Sequence, residues 1–264
     1  MHQLGKKSVE PIKPVDLAGQ TALVTGASAG LGRRFSLLLA RAGAKVAMVA
    51  RREDRLAEVA AEIRALGGEA LPLRLDVADI DAMTAAVARA ERELGPVQIL
   101  VNNAGIGIGK PTTELSRAEI DLLFNVNLRG PLFLAREVAA RLIALKLPGR
   151  IVNISSIGAF VHTGASDSQI YSITKAAVTR MTEVHALEWA IHGINVNAIA
   201  PGYIRTELVD NMDQAKVATV VAGMRRGRIG EPHHLDSTLL YLVDPASEFV
   251  TGTCIKADDA QMAR

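Results

Sequence analysis

Tyr171 and Lys175 stand four residues apart, as Y-x-x-x-K, inside a stretch whose apolar spacing reads as helix. A separation of four puts both side chains on one helical face. Such a pair can do acid–base chemistry, with a phenol giving or taking a proton at a substrate oxygen. A free tyrosine titrates at about 10, too high to serve well near neutrality. An ammonium at roughly 4–5 Å, at an effective dielectric of ~20, favours the phenolate by about 3–4 kcal/mol, so one lysine suffices in principle. A Tyr–Lys pair at this spacing is also common surface decoration. What argues for chemistry is Ser155-Ser156, which ends the strand-like run before this helix. In an α/β sheet, ligands sit at that carboxyl edge.

A second constellation binds rather than reacts. The first strand-like run ends in TGASAGLG, with Gly26, Gly30 and Gly32 at the turn into a helix. Glycines there let the backbone bend and approach a pyrophosphate, and the helix N-terminus offers free N–H groups. Strand before and helix after point to a dinucleotide. An NAD(H) site expects a carboxylate at the end of the second strand, about 20 residues on, for the ribose 2′-OH. That place is Ala50, followed by Arg51 and Arg52. Nothing there repels a 2′-phosphate, and a guanidinium can bind it bidentately. The expected cofactor is therefore NADP(H) in preference to NAD(H), read first by Arg51 and then by Arg52. The alternative is that both arginines are solvated charges ahead of a helix.

The elements that must position these residues alternate along the chain. Strands are expected at Thr21–Thr25, Lys45–Ala50, Ala70–Asp76, Ile99–Asn102, Arg150–Ile154, Ile194–Ile199 and Thr253–Ala257. Helices are expected at Leu31–Ala42, Asp54–Leu66, Asp79–Leu94, Ser116–Leu145, Ile170–His192 and Pro232–Leu242. Most strand runs are continuously apolar, as in strands covered on both faces. Gly43, Gly67-Gly68, Gly95 and Gly193 fall where helices should stop. Strand–helix–strand units with short loops require parallel pairing and right-handed crossovers. The expectation is a single-domain, Rossmann-type, doubly wound parallel α/β sheet of about seven strands with helices on both faces. It spans residues 17–264 behind a loose arm at 1–16.

Composition excludes other classes. The 264 residues are 49% hydrophobic, enough for a large core, and the net charge of +2 makes no case for nucleic acid. No run of 18 apolar residues occurs, so no membrane span is expected, and the first 19 residues do not read as a signal peptide. The single cysteine, Cys254, fits a reducing compartment. A cytoplasmic protein is expected. His233-His234 completes no metal-ligand pattern. MRRGR at 224–228 reads as a solvated turn, or as an attractor for an anionic substrate tail. His185 and Trp189 read as packing or subunit contact.

Taken together, these motifs resemble the short-chain dehydrogenase/reductase family, in the order T-G-x-x-x-G-x-G, N-N-A-G, Y-x-x-x-K and P-G-x-x-x-T, over roughly Ala18 to Gly252. Within it the likeness is to 3-oxoacyl-carrier-protein reductase and gluconate 5-dehydrogenase types of member. The resemblance implies hydride transfer between nicotinamide and a small-molecule carbonyl or alcohol. It implies that Tyr171 is the general acid/base and that Lys175 lowers its pKa and holds the nicotinamide ribose. Ser156 would bond the substrate oxygen, and Asn127 (or its neighbour Asn125) would anchor a proton-relaying water. Cofactor contacts implied are Ser28 and Leu31 in the glycine turn, Asp76 and Val77 at the adenine, and Asn103, Ala104 and Gly105. Pro201, Gly202, Ile204 and Thr206 would lie along the nicotinamide side. Residues 203–227 would form a variable substrate lid, and a homotetramer or homodimer is implied.

Two departures stand out. Ser156 precedes Tyr171 by 15 residues, more than is usual, with the excess in a polar loop at Gly164–Gln169. Lys256–Ala260 replaces the family's V-D-G-G-like end. A non-catalytic NADP(H)-sensing protein is the competing reading, although the whole acid/base set is present. A sugar-nucleotide epimerase would need a longer C-terminal substrate region.

Overall fold

The computed structural model describes residues 14–161, 168–211 and 214–261. Most of the expected arm at 1–16, and residues 164–167 of the polar loop, lie outside that range.

Seven strands form one parallel sheet in the order β3-β2-β1-β4-β5-β6-β7. They are β1 (Thr21–Thr25), β2 (Lys45–Ala50), β3 (Ala70–Arg74), β4 (Val97–Asn102), β5 (Gly149–Ile154), β6 (Ile194–Pro201) and β7 (Cys254–Ala257). Helices α1 (Gly30–Arg41), α2 (Glu53–Ala65), α3 (Ile80–Leu94), α4 (Arg117–Phe124), α5 (Gly130–Leu145) and α6 (Gln169–Trp189) connect the first six strands. Two short helices, α7 (Glu207–Asp210) and α8 (Gln214–Gly223), follow β6, and α9 (Asp236–Val243) leads to β7.

The continuous apolar runs have the expected cause. Val24, Met48, Val101 and Val152 point to one face, against Phe35 and Leu39 of α1, Leu56 of α2 and Leu239 of α9. Leu23, Val49, Leu100 and Ile151 point to the other, against Met83 of α3, Leu134 and Val138 of α5 and Trp189 of α6. Each strand feeds two cores, so alternate positions are equally apolar. Gly43, Gly67, Gly95 and Gly193 take the left-handed backbone that ends a helix.

Three boundaries differ from expectation for identifiable reasons. β3 stops at Arg74 because Asp76 folds the chain into a turn, its Oδ1 accepting from Ala78 N at 3.0 Å and its carbonyl from Asp79 N at 2.9 Å. The long helix expected at Ser116–Leu145 is interrupted by a π-turn over Asn125–Arg129. Pro131 has no N–H to return to the Asn127 carbonyl, and the helical register slips there. The segment expected as one helix from Pro232 begins as a 3-10 turn, Pro232–Leu235.

No helix among the described residues is long and apolar enough to cross a membrane. No group of three His, Cys, Asp or Glu side chains among them could hold a metal.

Candidate active site

Sheet order reverses between β1 and β4, and the segments leaving β1, β4, β5 and β6 meet at that carboxyl edge. Gly26 (φ +67°) and Gly30 (φ +52°) hold backbone that side chains rarely adopt. A Cβ on Gly32 would strike the Gly26 carbonyl oxygen, and one on Gly30 would meet Thr206 at 3.3 Å. Helix α1 then begins without a side-chain cap on Ala29 and without an acid in its first turn. Its first N–H groups and the positive end of its dipole are left to an external anion. A dinucleotide pyrophosphate fits this cradle. Leu31 packs its side chain inward against the α1 face of the core.

The two arginines part company. Arg52 reaches Ser28 Oγ from Nη2 at 3.2 Å and pairs with Glu207 of α7 at 2.9 Å. Arg51 is more exposed and leans to Asp76 at 3.8 Å. Both stand at the end of β2, but Arg52, ranked second from sequence, is the one in contact with the glycine turn. Val77 is buried, with its carbonyl packed against Gly130.

The N-N-A-G segment is fastened to the glycine turn. Thr25 Oγ1 accepts from Asn103 N and Ala104 N, both at 3.0 Å, and Asn103 Nδ2 donates to the Thr25 carbonyl at 2.9 Å. Gly105 lies beside both Lys175 and Asn127: a Cβ there would be 3.4 Å from Lys175 Nζ and 3.5 Å from Asn127 Oδ1.

Tyr171, Lys175, Ser156 and Asn127 come together. The Ser156 hydroxyl is near enough to the Tyr171 phenol to work against the rise in its pKa. Lys175 Nζ lies 5.6 Å from the centre of the Tyr171 ring and donates to the Ile154 carbonyl at 2.7 Å. Burial pushes the Lys175 pKa down to about 8. Burial also pushes the Tyr171 phenol above its ordinary value, against the Ser156 hydrogen bond and with a smaller contribution from nearby Tyr203. In the protein alone, then, desolvation sets the direction of the Tyr171 shift, opposite to the lowering expected from Lys175. Asn127 is fully buried. Its Oδ1 accepts from Ile106 N at 2.9 Å, and its Nδ2 donates to the Ile106 carbonyl at 2.9 Å and to Thr174 Oγ1 at 3.2 Å. Asn125 instead accepts from the exposed Arg129.

Pro201 closes β6 opposite Ala257. From Gly202 the chain returns over the crevice, where Ile204 bridges to Gly230 and Thr206 rests on Gly30. Of the basic cluster at 224–228, Arg226 and Arg228 both pair with Asp259 at 2.7 Å. The anion partner of these two arginines is therefore supplied within the chain. His185 stacks on Trp189 at 4.2 Å, and His234 Nδ1 accepts from Glu231 N at 2.9 Å.

A family model, short chain dehydrogenase, matches residues 20–217. The chain belongs to the short-chain dehydrogenase family. It is 36% identical over 251 residues to a 2-dehydro-3-deoxy-D-gluconate 5-dehydrogenase of Dickeya dadantii, covering 94% of this chain and 98% of that one. A short-chain type dehydrogenase/reductase from Mycobacterium marinum superposes with a TM-score of 0.90 at 36% identity, over 94% and 98% of the two chains. A Beutenbergia cavernae chain solved with bound NADP at low occupancy gives 0.88 at 35% identity, over 96% and 100%. As a short-chain dehydrogenase the protein is an oxidoreductase of hydroxyl and carbonyl groups that binds a nicotinamide cofactor.

Sequence reasoning missed the residues that hold the site's parts to one another. Thr25, Thr174 and Gln261 all act across more than twenty residues or through backbone groups. Thr174, next to Lys175 in the motif, is the one a closer look at spacing could have found.

Proposed function

We propose that the protein is an NADP(H)-dependent dehydrogenase/reductase of a small ketone or secondary alcohol, built as one catalytic unit from residue 17 onward. Tyr171 serves as its general acid/base. The observation that carries this reading is Lys175, anchored on the Ile154 carbonyl and 5.6 Å from the Tyr171 ring, with Ser156 near the phenol, at the sheet edge where the uncapped glycine turn opens. The bound nicotinamide supplies or accepts the hydride. Ser156 and Tyr171 share the substrate oxygen, and Tyr171 passes the proton there. Lys175, buried and near 8, holds the ribose and supplies a positive charge. Asn127 keeps the proton route open, since its carbonyl has lost its helical donor to Pro131 and the space beside Gly105 reaches both Lys175 and Asn127.

The Ala50-Arg51-Arg52 end of β2, without a carboxylate, supports NADP(H) over NAD(H). Relatives that act on gluconate-type compounds put keto- and hydroxy-sugar acids at the head of the substrate panel, ahead of 3-oxoacyl thioesters. The apolar side chains Val184 and Leu187 at the end of α6 and Ile191 in the 3-10 turn after it, with Leu187 82% and Ile191 85% exposed, support self-association into a homodimer or homotetramer.

The test is NADPH and NADH oxidation across a ketone panel, with the reverse reaction on alcohols, beside Tyr171→Phe. The substitution is expected to lower kcat by about a hundredfold or more. Near-full turnover in that variant would remove Tyr171 from its role. In the same assay Arg51→Asp should raise the KM for NADPH and spare NADH, and equal losses would count against a phosphate-reading arginine.

A further inference from the structure

The C-terminal segment, where this chain departs from its family's glycine-rich end, is built as a fastening. Asp259 (φ 51°) and Ala260 (φ 55°) are consecutive non-glycine residues in the left-handed region, and Lys146 is the one other such residue among those described. Strain of this kind persists only where the surroundings over-determine it. Here they do. The Asp259 carboxylate takes both Arg226 and Arg228 at 2.7 Å, so the turn holds the far end of the lid. One residue beyond the strained pair, Gln261 Oε1 accepts from Tyr203 N at 2.6 Å. Its Nε2 donates to the carbonyls of Tyr203 at 3.2 Å and Arg228 at 3.3 Å. A Cβ on Gly202 would strike the Gln261 amide, so this glycine is required for the close approach. On the opposite wall, Lys256 of β7 lies 4.3 Å over the ring of Phe160, which follows the Ser156 turn.

We propose that Gln261 and Asp259 are positioning residues. They grip the substrate lid at its first residue, Tyr203, and where it ends, at Arg226–Arg228, and so fix both ends of the lid at the crevice. This rests on Tyr171 marking the reaction centre. The consequence is that substrate affinity depends on the C-terminal turn more steeply than cofactor affinity does, since the cofactor cradle is built mainly from β1, β2 and β4 and meets the lid only at Thr206 and Glu207.

The experiment combines backbone amide hydrogen exchange with kinetics on the full chain, for wild type, Gln261→Ala, Gln261→Glu and Asp259→Asn. Gln261→Ala should speed exchange at the Tyr203 amide, raise the carbonyl-substrate KM roughly tenfold and leave kcat within about twofold. NADPH affinity, read by fluorescence titration, should fall by a clearly smaller factor than the carbonyl-substrate KM rises. Gln261→Glu retains the acceptor for Tyr203 N–H but turns an acceptor oxygen toward the Tyr203 and Arg228 carbonyls, so it should recover only part of the wild-type protection and KM. Asp259→Asn should loosen residues around 226–228 and raise KM by a smaller factor. Unchanged exchange at Tyr203 in Gln261→Ala would overturn the proposal. So would a loss of NADPH affinity in step with KM, which is what general unfolding produces. If wild type turns over no carbonyl or alcohol compound, the proposed function falls. The clamp is then decided by exchange at Tyr203 alone, standing if the variant loses protection and falling if it does not.

Discussion

Lys175 is where burial has its most direct consequence. Taken out of water, it gives up its proton at about 8 instead of the ordinary 10.5. Between those values the unfolded chain still carries a proton that the folded chain has lost, so stability rises with pH. From pH 8 to 10 the gain is about 2 kcal/mol. Tyr171 is pushed the other way, and above about 10 the folded state keeps the phenol proton longer, so that stability falls again. Chemical denaturation of wild type and Lys175→Met at pH 8 and 10 should show the rise in the former and its loss in the latter. An equal rise in both would assign it to another group. Ala260, at φ 55°, offers a second residue-scale test. Glycine there relieves about 1–2 kcal/mol of left-handed strain and returns part of it as unfolded-chain entropy. Ala260→Gly should therefore raise stability by a net ~0.5–1 kcal/mol, and a lower midpoint in urea would contradict the strain.

Among the elements, the turn from β1 into α1 carries the tightest geometry. Phe35 and Leu39 of α1 are wholly buried against the sheet, so the helix cannot withdraw when its first turn is crowded. Gly32→Ala drives a methyl into the Gly26 carbonyl. The expected result is a loss of about 2–3 kcal/mol in stability, typical of overpacking, with NADPH affinity falling further than stability alone would explain. A variant that binds NADPH as wild type does would show that the turn can open without cost. The π-turn between α4 and α5 is a second element whose irregularity serves the site. It brings Asn127 inward onto Ile106 and Thr174.

For the whole molecule, the testable surface is the end of α6 with the 3-10 turn that follows it, Ala190–His192. Val184, Leu187 and Ile191 recur at helical spacing and face away from both cores. Leu187→Glu with Ile191→Glu should shift the mass measured by light scattering toward the monomer and leave the far-ultraviolet circular dichroism unchanged. A wild-type mass equal to one chain would refute self-association through this face.

Much was legible in the sequence because it was written locally. Continuous apolar runs, glycine stops and helical spacing depend on neighbours within a few residues, and they determined seven strands, their alternation with helices and the parallel sheet. Y-x-x-x-K, the serine pair and the glycine turn were readable for the same reason: each is a short motif on one element. What only the tertiary structure decided is how those motifs are held to one another. Thr25 binding the N-N-A-G backbone, Thr174 holding Asn127 and Gln261 holding Tyr203 are contacts between elements far apart in the chain. Side-chain desolvation belongs to the same class, because the burial that shifts Tyr171 and Lys175 comes from packing and not from their own short motif. Local pattern names the parts, and only the packed chain sets their distances and their charges.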